Sequence, residues 1–205
     1  MELFQEKNPT SAHIKPEQTT VQFIKELFFF AFLAFLIVIP IRMFIAKPFL
    51  VDGPSMNPTF ATSQYLIVDE LSYQFQSPVR GEVVVFKYPK DKKKSFIKRI
   101  IGLPGETIII QPDKFVIINA LHPEGFSIVE PYITGPVTYR ESAITTLGDD
   151  EYFVMGDNRD QSFDSRSWGP VKESLIVGRP ILRLFPFDKI GLFPGRSENQ
   201  VEVGT

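Results

Sequence analysis

The chain has 205 residues, 43% of them hydrophobic, with a net charge of −2. That length holds one soluble domain plus a membrane segment, or one larger domain, and the charge offers no electrostatic case for nucleic acid. Cysteine is absent and only two histidines are present, His13 and His122, which excludes thiol catalysis, cysteine-ligated zinc and disulfide staples.

Residues 1–22 are polar, with Pro9 and Pro16 among mixed charges, and are expected to form a disordered tail. The chain then turns apolar. Leu27 to Ile41 carries no charge, and with Arg42 as the one interruption the run extends to Ala46. About 20 helical residues span the roughly 30 Å hydrocarbon core of a bilayer, so a transmembrane anchor helix is expected over 23–46. Arg42 near its end can snorkel to the headgroups, and Pro40 is tolerated in a membrane helix. A cleaved signal peptide would be followed by a small-x-small site, but Lys47-Pro-Phe49 follows instead. A buried soluble helix would be apolar on one stripe, whereas this run is apolar all round. Lys7, Lys15 and Lys25 precede the segment and Lys47 follows it. This asymmetry favours a cytoplasmic N-terminus, so the remainder is expected on the extracytoplasmic face of the cell membrane after a single pass.

Directly after the run comes Val51-Asp-Gly-Pro-Ser-Met-Asn-Pro-Thr-Phe60. Glycine and two prolines force turns, and Ser55 sits at their crest. By itself such a serine is either a turn-capping residue or a nucleophile held at a tight bend. From there to 195 the chain reads as many short strands. These are Tyr65–Val68, Val83–Phe86, Ser95–Ile101, Thr107–Ile110 hairpinned to Phe115–Ile118, Glu151–Met155 and Ile176–Phe185. Lys90–Lys94 reads as a solvated hairpin tip, and 119–150 as an irregular excursion with short strands. Residues 196–205 are expected to be frayed. The fold class is therefore mainly β: a β-rich domain over 47–195 behind one N-terminal transmembrane helix.

If Ser55 is a nucleophile it needs a base. His13 lies in the tail, and His122 lies between Leu121 and Pro123 in the irregular excursion, so a Ser-His-Asp triad lacks a well-placed histidine. Serine with lysine is the remaining arrangement. Lys98 lies within Phe96-Ile-Lys-Arg-Ile-Ile101, where lost solvation would lower its pKa and let it accept a proton. The competing reading is an edge-strand lysine that opposes aggregation. The loop from Met155 to Gly169 packs acids, arginines and hydroxyls together. Asp157, Asp160 and Asp164 lack the alternate-residue ligands and terminal glutamate of a calcium loop, so no metal and no cofactor is expected.

Four stretches in this order, Gly53-Pro-Ser-Met-Asn-Pro-Thr59, Arg80-Gly-Glu-Val-Val-Val-Phe86, Phe96-Ile-Lys-Arg-Ile-Ile-Gly-Leu-Pro-Gly-Glu106 and Gly156-Asp-Asn-Arg-Asp-Gln-Ser-Phe-Asp-Ser-Arg-Ser-Trp-Gly169, resemble the type I signal peptidases of bacteria. Those are membrane-anchored serine–lysine endopeptidases. The resemblance covers about Phe23 to Phe185. It implies Ser55 as nucleophile, Lys98 as general base and Ser162 as the hydroxyl that orients the lysine. It also implies structural pairs Asp157 with Arg99 and Asp164 with Arg166, an oxyanion donor from the Ser55 backbone N–H, and shallow substrate pockets lined by Val51, Phe60, Phe96 and Ile97. The implied fold is a two-sheet catalytic domain. The implied partners are signal peptides of secreted preproteins, cut after a small-x-small motif, and membrane lipid. One branch of the family carries a serine two residues before the nucleophile; here that position is Gly53, as in the branch that mostly has one anchor. Two other classes stay in view. A self-cleaving repressor protease would carry a DNA-binding domain, and a non-catalytic relative would be expected to lack Ser55 or Lys98.

Overall fold

The apolar run folds as one helix, α1 (Thr20–Phe44), of 25 residues, about 37 Å at 1.5 Å per residue and longer than the hydrocarbon core. This computed structural model describes residues 20–44, 46–112, 115–135, 137, 139, 142–196 and 202–204; most of the polar tail, with His13, and part of the C-terminal end fall outside them. Thr20–Val38 has a mean hydropathy of 2.1 and is exposed throughout. Apolar side chains on every face suit a helix surrounded by lipid. Pro40 lies within the helix. The chain divides into two units, 1–40 and 41–205.

The second unit contains β1 (Ala46–Leu50), β2 (Tyr65–Asp69), β3 (Val83–Tyr88), β4 (Asp91–Gly102), β5 (Thr107–Ile110), β6 (Phe115–Ile118), β7 (Phe126–Ile128), β8 (Ala143–Thr146), β9 (Glu151–Met155), helix α2 (Ser165–Trp168), β10 (Val171–Lys172), β11 (Ile176–Phe185), β12 (Gly191–Leu192) and β13 (Glu202–Gly204). They form two antiparallel sheets. One runs β1-β2-β11-β3-β4-β9-β10 with β12 on β11, and the other runs β13-β7-β6-β5-β8. The mainly β, two-sheet architecture is the one expected.

Burial follows the sequence pattern. Val83, Val84, Val85 and Phe86 of β3 are all buried, as a central strand covered on both faces requires. In β5 and β6 every second residue is buried, so one face of the second sheet meets the core. That core joins Ile108, Ile110, Phe115, Ile117, Phe126 and Phe153. A second cluster gathers Val84, Phe86, Ile100, Val154 and Trp168, and a third packs Val51, Met56, Phe60, Leu66 and Val83 beneath the turn that carries Ser55.

Several elements differ from expectation. β4 starts at Asp91, with Tyr88 opposite Asp91 at the hairpin end, so Lys92–Lys94 lie in the strand and not at its tip. They are exposed, which lets a strand tolerate three cations. β1 has no counterpart in the sequence reading because Lys47-Pro48 does not look like strand; among the described residues it is a sheet-edge strand paired only to β2, where proline is admitted. At the C-terminal end, Glu202–Gly204 pairs with β7, where frayed chain is expected.

Candidate active site

The turn carrying Ser55 is held at both ends. The Val51 N–H donates to the Gln64 carbonyl at 2.9 Å and the Phe60 N–H to the Met56 carbonyl at 2.8 Å. Gly53 adopts φ +90°, a left-handed conformation that suits glycine. Met56 is buried beneath the turn, which directs the neighbouring Ser55 outward.

Lys98 lies on β4, opposite Val84 of β3. β9 joins β4 only from Arg99 onward. The side of β4 away from β3 is therefore open at Phe96–Lys98, and here the lysine meets the serine. Lys98 Nζ is 2.6 Å from Ser55 Oγ and donates to the Ile97 carbonyl at 2.9 Å. The lysine is 4% exposed. Burial pushes its pKa down to about 8, against the opposing pull of Asp164 and Asp157. At a pKa near 8 about a tenth of the lysine is neutral at pH 7, some hundreds of times more than for an ordinary lysine. The pair can thus pass a proton from hydroxyl to amine.

Behind the dyad lie two acid–arginine pairs. Arg99 Nε and Nη2 donate to the two Asp157 carboxylate oxygens at 2.9 and 2.6 Å, and Arg99 Nη1 donates to the Gly81 and Gly195 carbonyls. Thr59 Oγ1 donates to Asp157 Oδ2 at 2.6 Å. Arg166 grips Asp164 with Nε and Nη2, both at 2.8 Å. Asp164 also caps α2 through the Arg166 N–H and accepts the Gly156 N–H at 3.0 Å. Burial works against ionising Asp164, but the Arg166 guanidinium, the nearby Ser162 hydroxyl and the Gly156 N–H hold its carboxyl below the ordinary range.

Ser162 Oγ is buried and makes no hydrogen bond of normal geometry among the described residues. It therefore does not bond Lys98 in this structure. It packs against Gly156, where an added Cβ would lie 2.3 Å from both Ser162 Oγ and the Ser55 carbonyl oxygen. The Asn158 N–H donates to that same Ser55 carbonyl at 3.1 Å. Gly156→Ala is accordingly expected to force the serine turn from its neighbour. It should lower kcat at least tenfold or so, with an overpacking cost of about 1–3 kcal/mol, measured by peptide cleavage and thermal melting. Parental values in both would refute the close approach.

A cleft of about 220 Å³ opens at Ser55 and Lys98, and its walls include Phe49, Val51, Leu66, Phe96, Ile97 and Phe163. Phe60, expected in this pocket, does not line it. The residue is wholly buried in the cluster under the turn. Arg183 lies over its ring, and Gly195 sits so close that a Cβ there would lie 2.7 Å from it. A larger cleft of about 450 Å³, lined in part by Arg80, Glu82 and Arg179, contains neither Ser55 nor Lys98. Its charges are largely spent on ion pairs, Arg80 with Glu106 and Arg179 with Glu82. No cluster able to hold a metal ion occurs among the described residues.

Sequence reasoning did not anticipate three participants from the excursion. Glu130 pairs with the buried Arg159, Tyr132 stacks on Arg99, and Tyr139 Oη accepts from Arg159 Nη1 at 2.8 Å. Tyrosines among prolines and glycines carry no local signal of these contacts. His122 lies on the excursion with Glu124 and Phe126, and it is not among the residues lining the cleft.

The family model described as "Signal peptidase, peptidase S26" matches residues 24–185. A probable signal peptidase I-2 of Synechocystis sp. is 37% identical over 177 residues, 83% of this chain and 78% of that protein. A signal peptidase I V of Bacillus subtilis is 39% identical over 141 residues, 62% of this chain and 79% of that protein. Among solved structures, a signal peptidase I of Enterococcus faecalis aligns with TM-score 0.42 at 30% identity, over 51% of this chain and 97% of that one.

Proposed function

Because the chain belongs to the signal peptidase family, peptidase S26, we propose that it is a membrane-anchored serine endopeptidase that removes N-terminal signal peptides from exported preproteins with Ser55 and Lys98. The observation that carries this reading is the 2.6 Å approach of Lys98 Nζ to Ser55 Oγ, with the lysine buried.

Neutral Lys98 takes the Ser55 proton as Oγ attacks the scissile carbonyl. The Ser55 N–H, which donates to no acceptor among the described residues, faces the developing oxyanion. Protonated Lys98 gives its proton to the leaving amine as the C–N bond breaks, and the signal peptide remains as an ester on Oγ. Lys98 then deprotonates a water that attacks the ester, and Ser55 regains its proton. Ser162, whose buried hydroxyl makes no hydrogen bond of normal geometry among the described residues, accepts from Lys98 and orients it once the serine is acylated. Arg99–Asp157 and Arg166–Asp164 stiffen the surrounding loop.

The cleft's volume of about 220 Å³ lies below the roughly 300–1,000 Å³ of ordinary ligand pockets. It suits small side chains, so cleavage after a small-x-small motif follows, with Val51, Phe96 and Ile97 as walls. The open side of β4 at Phe96–Lys98 and the residues after the edge strand β1 both face the cleft. An extended substrate can add there as a strand. The apolar α1 anchors the chain in a single pass with a cytoplasmic N-terminus and an extracytoplasmic catalytic domain. Anchoring confines enzyme and substrate to one membrane face and raises their effective concentration.

Incubating the detergent-solubilised full chain with a preprotein tests this reading. The expected result is a shortened mature protein with its new N-terminus after a small residue. A preprotein that binds but stays intact would favour a non-catalytic binding protein. Activity should rise with pH along a limb centred near about 8, the lowered pKa of Lys98, because the base works only when neutral. A limb centred near the histidine range, measured as kcat against pH, would argue for another base.

A further inference from the structure

The excursion after β6 takes no step in the reaction above, yet it packs against the rear of the site. Arg99 adjoins Lys98 in sequence and is 1% exposed. Its guanidinium edge is committed to Asp157 and to the Gly81 and Gly195 carbonyls, which leaves the flat face. Tyr132 covers that face, with the guanidinium carbon 3.8 Å from its ring centroid. A ring on a desolvated guanidinium is a strong contact. The tyrosine is itself fixed: its hydroxyl donates to Glu130 Oε1 at 2.7 Å, and burial beside Glu130 keeps the phenol protonated. Glu130 in turn pairs with Arg159, whose Nε donates to the Gly156 carbonyl at 3.1 Å. The loop residues 156–159, which touch the Ser55 carbonyl through Asn158, are therefore held from both arginines.

We propose that Tyr132 is a positioning residue for the dyad, acting through its ring on Arg99 to fix Asp157 and the spacing between Ser55 and Lys98. The inference rests on the serine–lysine reading. It places the excursion in the service of catalysis without contact to substrate.

Loosening Arg99 has a direction. Two carboxylates act on Lys98, Asp157 and Asp164, each neutralised by its own arginine, Arg99 and Arg166. If Arg99 drifts from Asp157, the bare carboxylate favours the charged lysine. Water entering beside it does the same. Both move the acid limb of activity to higher pH.

The test compares full-length Tyr132→Leu and Tyr132→Phe in detergent, with a peptide spanning a signal-peptide cleavage site. Tyr132→Leu should lower kcat about tenfold or more through misplacement of the dyad, leave KM within about twofold, and shift the acid-side midpoint upward. Tyr132→Phe keeps the ring and should restore kcat to within about threefold of the parent and the midpoint with it. Parental kcat and midpoint in Tyr132→Leu would overturn the inference, as would a phenylalanine variant as impaired as leucine. Should Tyr132→Leu lose its cooperative melting transition, Tyr132→Met refills the volume without a π face and is judged by the same two outcomes. Ser55→Ala in the same series separates the two readings. If it stays active, the serine–lysine reading fails; if it is dead while Tyr132→Leu is parental, only the positioning role fails.

Discussion

Lys98→Ala is expected to abolish signal-peptide processing while the protein stays folded. The lysine is the only titratable group in hydrogen-bond contact with Ser55 Oγ among the described residues. Its removal leaves the hydroxyl without a proton acceptor, and a positioned base is worth about 10²–10⁴ in rate. Ser55→Ala removes the bond-forming atom and should fall to the same floor, because groups that act as one unit are not additive. Folding should survive. The lysine is buried and its burial disfavours the ammonium, so deleting it removes a penalty along with some packing. Lys98→Arg sharpens the test. Arginine keeps the positive charge but does not deprotonate, so it should be as inactive as alanine if the lysine is a base, and partly active if charge alone matters. Undiminished cleavage by purified Lys98→Ala, checked alongside an unchanged melting curve, would sink the mechanism.

The legible parts of the fold were those written locally. Val83–Phe86 reads as a central strand because it is apolar without a break, and Thr107–Ile110 with Phe115–Ile118 reads as a hairpin across a polar turn. Both appear as strands. Gly53 and the prolines mark the turn that lifts Ser55. Meeting across the fold is another matter. Ser55 and Lys98 stand 43 positions apart, and nothing in either neighbourhood states that they touch; only the order of four motifs, carried by a family resemblance, joined them. Phe60 shows the limit of that transfer. A position that resembles a pocket wall here turns its ring inward, because Met56, Arg183 and Gly195 enclose it. Glu130 and Tyr132 were illegible for a related reason. Their partners, Arg159 and Arg99, come from the loop after β9 and from β4 respectively, and the pairing exists only once both sheets are built.

Asp157→Ala should be the most destabilising substitution near the site that leaves both dyad residues untouched. It strands the Arg99 guanidinium, 1% exposed, without its counter-charge, and it leaves the Thr59 hydroxyl without its acceptor. Breaking a buried ion pair from one side costs about 3–5 kcal/mol, since the remaining charge stays desolvated. Domains are stable by only about 5–15 kcal/mol, so at least about a fifth of the margin would go. For a domain of this size that lowers Tm by roughly 10–20 °C. Asp157→Asn keeps the shape and one acceptor oxygen but not the charge, and should fall between alanine and the parent. The pair also acts on the chemistry. Asp157 is one of two carboxylates that pull the Lys98 pKa upward against burial. In a folded Asp157→Asn the lysine therefore becomes easier to deprotonate, and the acid limb of activity moves to lower pH, opposite to the shift expected from Tyr132→Leu. Melting and pH–rate curves on the same samples separate the two contributions. A Tm within about 2 °C of the parent in Asp157→Ala would mean that water reaches Arg99 and that the pair contributes no more than a surface bridge.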